Sequence, residues 1–288
     1  MMGVRDIALI TDSGTNVPQE DVERLGIYCA YLSVNYHDRQ YREVVEISTQ
    51  EVYERFDREI PKTSTPSPQD VAACVSRAIA DGYRKIVCVL TSSGLSGTCG
   101  LFERVLATHP EVESHIVDTK SIGAGGGIIV LYAAELIARG LPFEEVCARV
   151  DKVVSRSHVY FLVDTLDNLY KGGRINRAVY SLGSILNLKP VITCDTAGAG
   201  NYIVAAKARG RAKALKKQID LVKRDIQDAV RYRIGFASGI TPDREALFEN
   251  VKKVFAGAES IRDYGDVSPA LITHTGKGLV GICCLVLD

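Results

Sequence analysis

Three short segments concentrate serine, threonine and glycine, and we interpret them as candidates for binding an anionic group. They are residues 11–14, 63–67 and 91–98; the last holds three serines, two threonines and two glycines in eight positions. Hydroxyl groups and exposed backbone N–H groups donate to carboxylate or phosphate oxygens, and a helix N-terminus adds partial positive charge. One such segment alone would be an ordinary turn or helix cap.

Two basic segments could assist an anion. Lys171-Gly172-Gly173-Arg174 places two cations around a flexible turn, where Arg174 could pair with a carboxylate or phosphate. The ordinary alternative is a solvated helix C-terminus. Six basic residues between 207 and 217 form either a solvated helix face or a docking surface for an acidic partner: Lys207, Arg209, Arg211, Lys213, Lys216 and Lys217.

A serine hydrolase is an alternative that the sequence supports weakly. Ser96, an aspartate (Asp118 or Asp164) and His274 follow one another in an order that some hydrolases use. Ser96 does not lie in a G-x-S-x-G motif, however, and His274 alone is more often a structural residue.

Phosphate-binding glycine motifs are absent or misplaced. No G-x-x-x-x-G-K-[ST] occurs, so a P-loop is excluded. Glycines 276, 278 and 281 match G-x-G-x-x-G, but an apolar, β-prone segment follows where a dinucleotide motif needs a helix. These glycines therefore favour close approach of the backbone to another loop or a ligand.

Composition narrows the class of protein. With 288 residues, 46% of them hydrophobic, the chain can form one large domain or two of ordinary size, and the 35 basic and 35 acidic residues give no charge excess for nucleic acid. Its eight cysteines form no C-x-x-C, so we expect no metal site and reduced thiols in a cytoplasmic protein. The N-terminus lacks a signal-peptide core, and residues 122–138 favour a buried helix over a membrane span.

The pattern of elements predicts an α/β fold in two parts. Up to residue 157, short apolar strands alternate with amphipathic helices, which is typical of a mainly parallel sheet flanked by helices. This includes one strand over 27–34, a helix from the Ser48–Glu51 capping box and a loop without secondary structure over 61–68. Residues 158–288 favour an α+β domain that contains a hairpin around 195–201 and an apolar terminal strand.

Taken together, these motifs resemble the DegV family of bacterial lipid-binding proteins. Nearly the whole chain takes part, through these segments in order: Thr11-Asp12-Ser13; Thr63-Ser64-Thr65-Pro66-Ser67-Pro68; Ser92-Ser93-Gly94-Leu95-Ser96-Gly97-Thr98; Asp118-Thr119 with Gly123; Leu169-x-x-Gly172-Gly173-Arg174-Ile175; Lys189-Pro190; and His274-x-Gly276-x-Gly278. Thr65 stands where the family usually has glutamine and Lys277 where it usually has proline; both departures bear on pocket shape and local charge.

The resemblance implies a non-catalytic protein that holds one long-chain fatty acid in an apolar tunnel between the two domains. Thr63 and Ser96 match the family's carboxylate contacts, and Ser93, Arg174 and His274 match the network around the head group. No metal or cofactor is implied.

The resemblance also implies a partner. A separate kinase phosphorylates the bound fatty acid for phospholipid synthesis, and Arg174 and Arg209 match cationic positions suited to kinase docking or phosphate contact. The family suggests no stable membrane insertion, and at most transient membrane contact. Besides the lipid carrier, two readings stay open: an acyl hydrolase using Ser96 and His274, and a sugar- or phosphate-binding protein using the same loops.

Overall fold

The computed structural model describes residues 6–183 and 188–288. Its strands, numbered in chain order, are β1 Ile7–Asp12, β2 Tyr28–Ala30, β3 Ser33–Asn35, β4 Gln40–Arg42, β5 Lys62–Ser64, β6 Lys85–Leu90, β7 Glu113–Asp118, β8 Ser157–Leu162, β9 Leu188–Cys194, β10 Tyr202–Arg209, β11 Tyr232–Ser238, β12 Ser260–Asp266 and β13 Val280–Val286.

The helices are likewise numbered along the chain. They are α1 Gln19–Leu25, α2 Thr49–Arg55, α3 Pro68–Ala80, α4 Thr98–Leu106, α5 Ala124–Ala138, α6 Phe143–Val154, α7 Asp167–Lys171, α8 Arg177–Gly183, α9 Arg211–Asp225, α10 Arg244–Val254 and α11 Pro269–Thr275.

The first half contains a parallel sheet in the order β2-β1-β6-β7, as the sequence predicts. Side chains alternate between its two faces: Ile10 and Ile86 pack with α3 and α4, whereas Leu9 and Val87 pack with α5 and α6. Helices thus cover both faces of the sheet, and the mixed α/β class is confirmed.

The second half contains a six-stranded mixed sheet in the order β10-β9-β8-β13-β11-β12. The antiparallel pair of β9 and β10 is the expected hairpin. In β13, Cys283 packs towards the core shared with the first half and Cys284 packs under the helices of the second, so the vicinal cysteines lie on opposite faces. All eight cysteines are free thiols.

A small third sheet corrects two sequence expectations. Residues 27–34 are not one strand, because the chain leaves the parallel sheet after β2 and continues as β3 in the antiparallel order β4-β3-β5. The loop predicted over 61–68 likewise contains β5, which pairs with β3. The capping box is present as predicted, with Ser48 and Glu51 exchanging hydrogen bonds at the start of α2.

Helix α5 lies between the two large sheets and explains the run of glycines at its start. A Cβ at Gly125 would lie 2.6 Å from the Val159 Cβ, and one at Gly127 would lie 2.6 Å from the Thr15 carbonyl oxygen. Only glycine therefore allows this approach to both halves. The helix is buried as predicted, and no helix in the described residues is both long and apolar enough to cross a membrane. A division into domains at 157/158 stays a prediction.

Candidate functional site

The second and third hydroxyl-rich loops meet at the wall of one cavity. A Cβ at Gly97 would lie 3.7 Å from the Thr65 Cγ2 atom, in ordinary contact. The cavity has a volume of about 280 Å³, and its polar lining includes five residues that the sequence singled out: Thr63, Ser93, Ser96, Arg174 and His274. We call this space the head-group cavity.

The first loop supports the third loop instead of contributing its own side chains to the cavity. Asp12 accepts hydrogen bonds from the Thr91 backbone N–H (2.8 Å) and hydroxyl (2.7 Å). Burial raises the pKa of Asp12 to about 6, although the hydrogen bonds from Thr91 and Gly14 oppose that rise. Asp12 therefore fixes the start of the loop that carries Ser93 and Ser96.

His274 and Thr63 form a close polar pair, although 211 positions separate them in the sequence. The Thr63 Oγ1 atom, on β5, lies 2.6 Å from the Nε2 atom of His274, on α11. Burial, with a smaller effect from the Arg174 charge, lowers the pKa of His274 to about 3. The imidazole is therefore neutral near pH 7.

Gly172 leaves room for the imidazole. A Cβ at this position would lie 2.2 Å from the His274 Nδ1 atom and 2.8 Å from its Cε1 atom. Nδ1 is buried and has no hydrogen-bond partner among the described residues. The residue after α7 thus sets the position of a side chain on α11.

Arg174 supplies an uncompensated positive charge at the cavity. Its Nη1 donates to the Gly172 carbonyl oxygen at 2.5 Å, and no Asp or Glu of residues 6–183 and 188–288 lies within ion-pair distance of it. The guanidinium has five N–H donors, so others are available to an anion.

The two serines of the third loop are held differently. The Ser96 Oγ lies 2.8 Å from the Thr98 hydroxyl, so one of these can donate while the other accepts. The Ser93 backbone N–H donates to Asp118 at 3.1 Å, and Lys120 lies 3.4 Å from the Ser93 hydroxyl. Both hydroxyls border the same cavity.

The sequence analysis also singled out Thr65, Lys277 and Arg209, and only the first of them lines the head-group cavity. Thr65 lines the cavity, whereas Lys277 forms an ion pair with Asp57 at 3.0 Å and does not line it. Arg209 is exposed at the end of β10, the edge strand of the six-stranded sheet, and is also outside the lining. A contact of Arg209 with a partner or phosphate stays a prediction.

The geometry is not that of a catalytic triad. The His274 Nε2 bonds to Thr63 and not to Ser96, and among the described residues its Nδ1 has no carboxylate partner. Asp118 pairs with Lys120, and Asp164 pairs with Lys189 and Arg211. A histidine with a pKa of about 3 is also a poor general base near pH 7.

An apolar cavity adjoins the head-group cavity, and the sequence did not identify the residues that line it. It is small, about 40 Å³, and shares Ile122, Tyr202 and Leu271 with its neighbour. The rest of its wall consists mainly of apolar residues from both halves of the chain, including Ala124, Val159, Phe161, Ala237 and Leu279. We call it the tail cavity. Apolar residues of this kind look like any core residue in the sequence, which is why no signal marked them.

Asn16 is a polar residue in the wall of the tail cavity. Its side-chain amide donates to the carbonyl oxygens of Tyr264 (3.2 Å) and Asp266 (3.3 Å) and accepts from the Ser268 N–H at 2.8 Å. These bonds hold Asn16 in place across the two halves. In the described part of the chain, no group of three or more His, Cys, Asp or Glu is placed to hold a metal ion.

Comparisons with known proteins agree on one family. The family model described as an uncharacterised protein of the DegV family matches residues 6–286. A DegV domain-containing protein of Clostridium acetobutylicum is 34% identical over 278 residues, covering 96% of this chain and 97% of the relative.

Two solved structures extend the similarity to the fold. A DegV family protein from Thermus thermophilus, described by its fatty acid binding, superposes with a TM-score of 0.89 at 32% identity, over 98% of this chain and 100% of that one. DegV of Bacillus subtilis, described as a fatty acid binding protein, gives a TM-score of 0.87 at 25% identity, over 98% and 99% of the two chains.

Proposed function

The chain belongs to the DegV family, and from this premise we propose that it binds one long-chain fatty acid, with the carboxylate in the head-group cavity and the acyl chain in the tail cavity. The observation that carries the proposal is the adjacency of the two cavities, which share Ile122, Tyr202 and Leu271. One cavity offers an unpaired cation and hydroxyls, and the other offers apolar walls.

The head group needs donors and a counter-charge, because a buried carboxylate without partners is costly. Arg174 supplies the charge, since burial lowers the pKa of His274 to about 3 and keeps it neutral near pH 7. The histidine acts through Thr63: with its proton on Nε2 it donates to the Thr63 oxygen, and the Thr63 hydroxyl is then free to donate to the carboxylate. Ser96 donates from the third loop.

Burial of the acyl chain supplies most of the affinity. At about 0.8 kcal/mol per methylene, a C16 chain offers on the order of 12 kcal/mol before the costs of ordering and association are subtracted. At about 40 Å³ the tail cavity is far too small for such a chain, so the side chains around it must move apart on binding. Chains of different length and saturation will differ in how much movement they require.

The protein itself does no chemistry on the lipid in this proposal. It presents the carboxylate to a separate fatty acid kinase in the cytoplasm, which forms an acyl phosphate for phospholipid synthesis. Arg174 would contact the phosphoryl group as well as the carboxylate, and Arg209, exposed on the edge strand β10, would contact the kinase.

Lipid extraction tests the binding proposal directly. Purified protein analysed by native mass spectrometry should carry about one fatty acid per chain. Ser96→Ala should retain less lipid at equal protein concentration, whereas Ser114→Ala, an exposed serine on β7, should match the unmodified protein. Protein that binds phosphate and no lipid would contradict the proposal, as would ester cleavage that Ser96→Ala abolishes.

A coupled assay tests the carrier role. Palmitate-loaded protein, ATP and a purified bacterial fatty acid kinase should yield acyl phosphate, trapped with hydroxylamine, and the protein with ATP alone should yield none. Arg209→Gln should slow formation without lowering lipid content. An unchanged rate in Arg209→Gln would remove this residue from the kinase contact.

A further inference from the structure

A separate cavity of about 290 Å³ lies between α1 and α5 on one side and β11 and β12 on the other. None of its lining residues lines the head-group or tail cavity as described above. Three arginines from three different elements border it: Arg24 at the end of α1, Arg233 on β11 and Arg262 on β12. We call it the arginine cavity.

The charges around this cavity are positive in sum. Arg24 and Arg262 share one carboxylate, the buried Asp21. In the second network, Arg233 lies 2.6 Å from Glu135 and 3.1 Å from Glu259. Arg139 also pairs with Glu135, and Arg231 also pairs with Glu259. Each network thus holds one more arginine than carboxylate.

Asp21 uses only part of the Arg262 guanidinium. The Nη2 atom bonds to Asp21, and the Nε atom is buried. Because 37% of the side chain is exposed, N–H donors at its Nη end remain available to an acceptor that a ligand brings.

The opposite wall is apolar and comes from α5. Ile128, Leu131 and Ala134 face the cavity, and Ala138 borders it at the exposed end of the helix. An inorganic ion would leave this wall uncovered. The cavity therefore suits a molecule with an oxyanion at one end and a short apolar body.

We propose that the arginine cavity binds a small amphiphilic oxyanion, a carboxylate or phosphate monoester on a body of about six carbons, with the oxyanion accepting from the Nη N–H groups of Arg262 and the body against α5. This site is independent of the fatty acid proposal. Because its walls come from both halves, its ligand would tie α1 and α5 to β11 and β12.

Titration of the full chain with hexyl phosphate, hexanoate and inorganic phosphate tests the proposal. Calorimetry measures affinity, and methyl NMR locates the ligand. One or both amphiphiles should bind more tightly than inorganic phosphate and shift the methyl signals of Ile128 and Leu131, and the tighter one identifies the oxyanion. Equal binding of inorganic phosphate, or shifts confined to Ile122 and Leu271 of the tail cavity, would overturn it.

Two variants and a matched control separate the site from general charge effects. Arg262→Lys keeps a cation near Asp21 but removes the planar guanidinium donors, and should weaken binding at least tenfold. Ala138→Phe should weaken binding by narrowing the cavity. Arg244→Lys is the control, because this arginine also pairs with aspartates, Asp263 through Nη2 and Asp266 through Nε, but lies outside the cavity. Equal effects of Arg262→Lys and Arg244→Lys would refute the site.

Discussion

At the scale of single residues, different side chains of the head-group cavity supply the positive charge and orient the hydrogen-bond donor. Arg174 carries the positive charge, whereas burial keeps His274 neutral and leaves it to orient the Thr63 hydroxyl. A second cation beside Arg174 would repel its charge. The arrangement leaves one cation without a carboxylate partner among the described residues, and an anionic ligand would remove that imbalance.

Removing the Arg174 charge should weaken fatty acid binding. A hydrogen bond to a charged group contributes about 1.5–3 kcal/mol, so Arg174→Gln should raise the dissociation constant for palmitate about 10- to 150-fold. Arg209→Gln, which removes an exposed cation outside the cavity, should leave it unchanged. Fluorescence displacement with delipidated protein measures both, and equal losses in the two variants would indicate a nonspecific effect of net charge.

His274 should make the delipidated protein less stable in acid. The unfolded chain protonates this side chain below pH 6.5, but the folded protein does so only below about 3. Between these values the unfolded state binds more protons, so stability falls as pH falls. The free energy of unfolding of the natural chain minus that of His274→Gln should decrease by about 3 kcal/mol from pH 7 to pH 4, as measured by urea unfolding.

The contribution of Asp12 to stability changes with pH in the opposite direction. The prediction for His274 is therefore stated as a difference between the natural chain and the His274→Gln variant. Its pKa is about 6 in the folded protein against 3.8 unfolded, so its contribution to stability is lost as pH rises through that interval. The two residues partly offset each other in the natural chain. A pH-independent difference between the natural chain and His274→Gln would mean that the imidazole is not kept neutral.

At the scale of elements, the end of α7 determines where the α11 histidine can lie. Gly172 packs directly against the imidazole, and the backbone N–H of Arg174 donates to the Leu169 carbonyl oxygen in the same turn. The segment Lys171–Arg174 therefore does two things at once. It makes room for His274 and directs Arg174 to the cavity.

Gly172→Ala should lower fatty acid affinity without unfolding the protein. The added methyl group would displace the imidazole and lengthen the Thr63–His274 hydrogen bond, so we expect a loss of about tenfold or more. Gly100→Ala is the control, because its Cβ meets only the Arg104 Nη1 atom at 3.7 Å. Since alanine favours helix in α4, this control should be slightly more stable by thermal unfolding, with normal lipid binding.

Strand β13 offers a way to shorten the tail cavity. A Cβ at Gly281 would lie 3.4–3.9 Å from Ala237, Leu279 and Phe161, so a larger side chain can enter among residues that line this cavity. Gly281→Val should shift the preference towards shorter chains, measured by competitive loading from an equimolar fatty acid mixture. An unchanged preference would place the acyl chain elsewhere.

The sequence predicted an element well where most of its residues are apolar because the element is buried. Strand β6 is one of the short apolar strands that the pattern predicts before residue 157, and its apolar run is buried almost throughout. Strand β12, with the sequence Ser-Ile-Arg-Asp-Tyr-Gly-Asp, was not predicted, because it is a half-exposed edge strand without an apolar run. The three-residue strands β3 and β5 depend on pairing with each other, and no local pattern encodes that.

The same limit applies to the site. Hydroxyls, glycines and cations marked the residues of the head-group cavity because several such segments occur in one chain, although each alone would be an ordinary turn. The sequence did not show that Thr63 would pair with His274, that Ser96 would bond to Thr98, or that His274 would be neutral. Burial and distant contacts decide these features, and both depend on the complete fold.

At the scale of the whole molecule, the head-group cavity depends on contact between the two halves. A Cβ at Gly94 in the third loop would lie 2.3 Å from the carbonyl oxygen of Ala199 in the β9–β10 turn. The Ser92 hydroxyl in turn donates to the Gly200 carbonyl oxygen at 3.0 Å. Bending of this turn away from the loop would open the cavity wall.

Fatty acid binding should therefore stabilise this contact together with the whole fold. At a free ligand concentration of 100 times the dissociation constant, binding adds about 2.7 kcal/mol to the free energy of unfolding. Hydrogen exchange of the Ser96 and Gly200 amides, which lie on opposite sides of the contact, should slow by a similar factor on palmitate addition. Slowing of the Ser96 amide alone would mean that the ligand is held by the first half and that the second contributes no more than a cover.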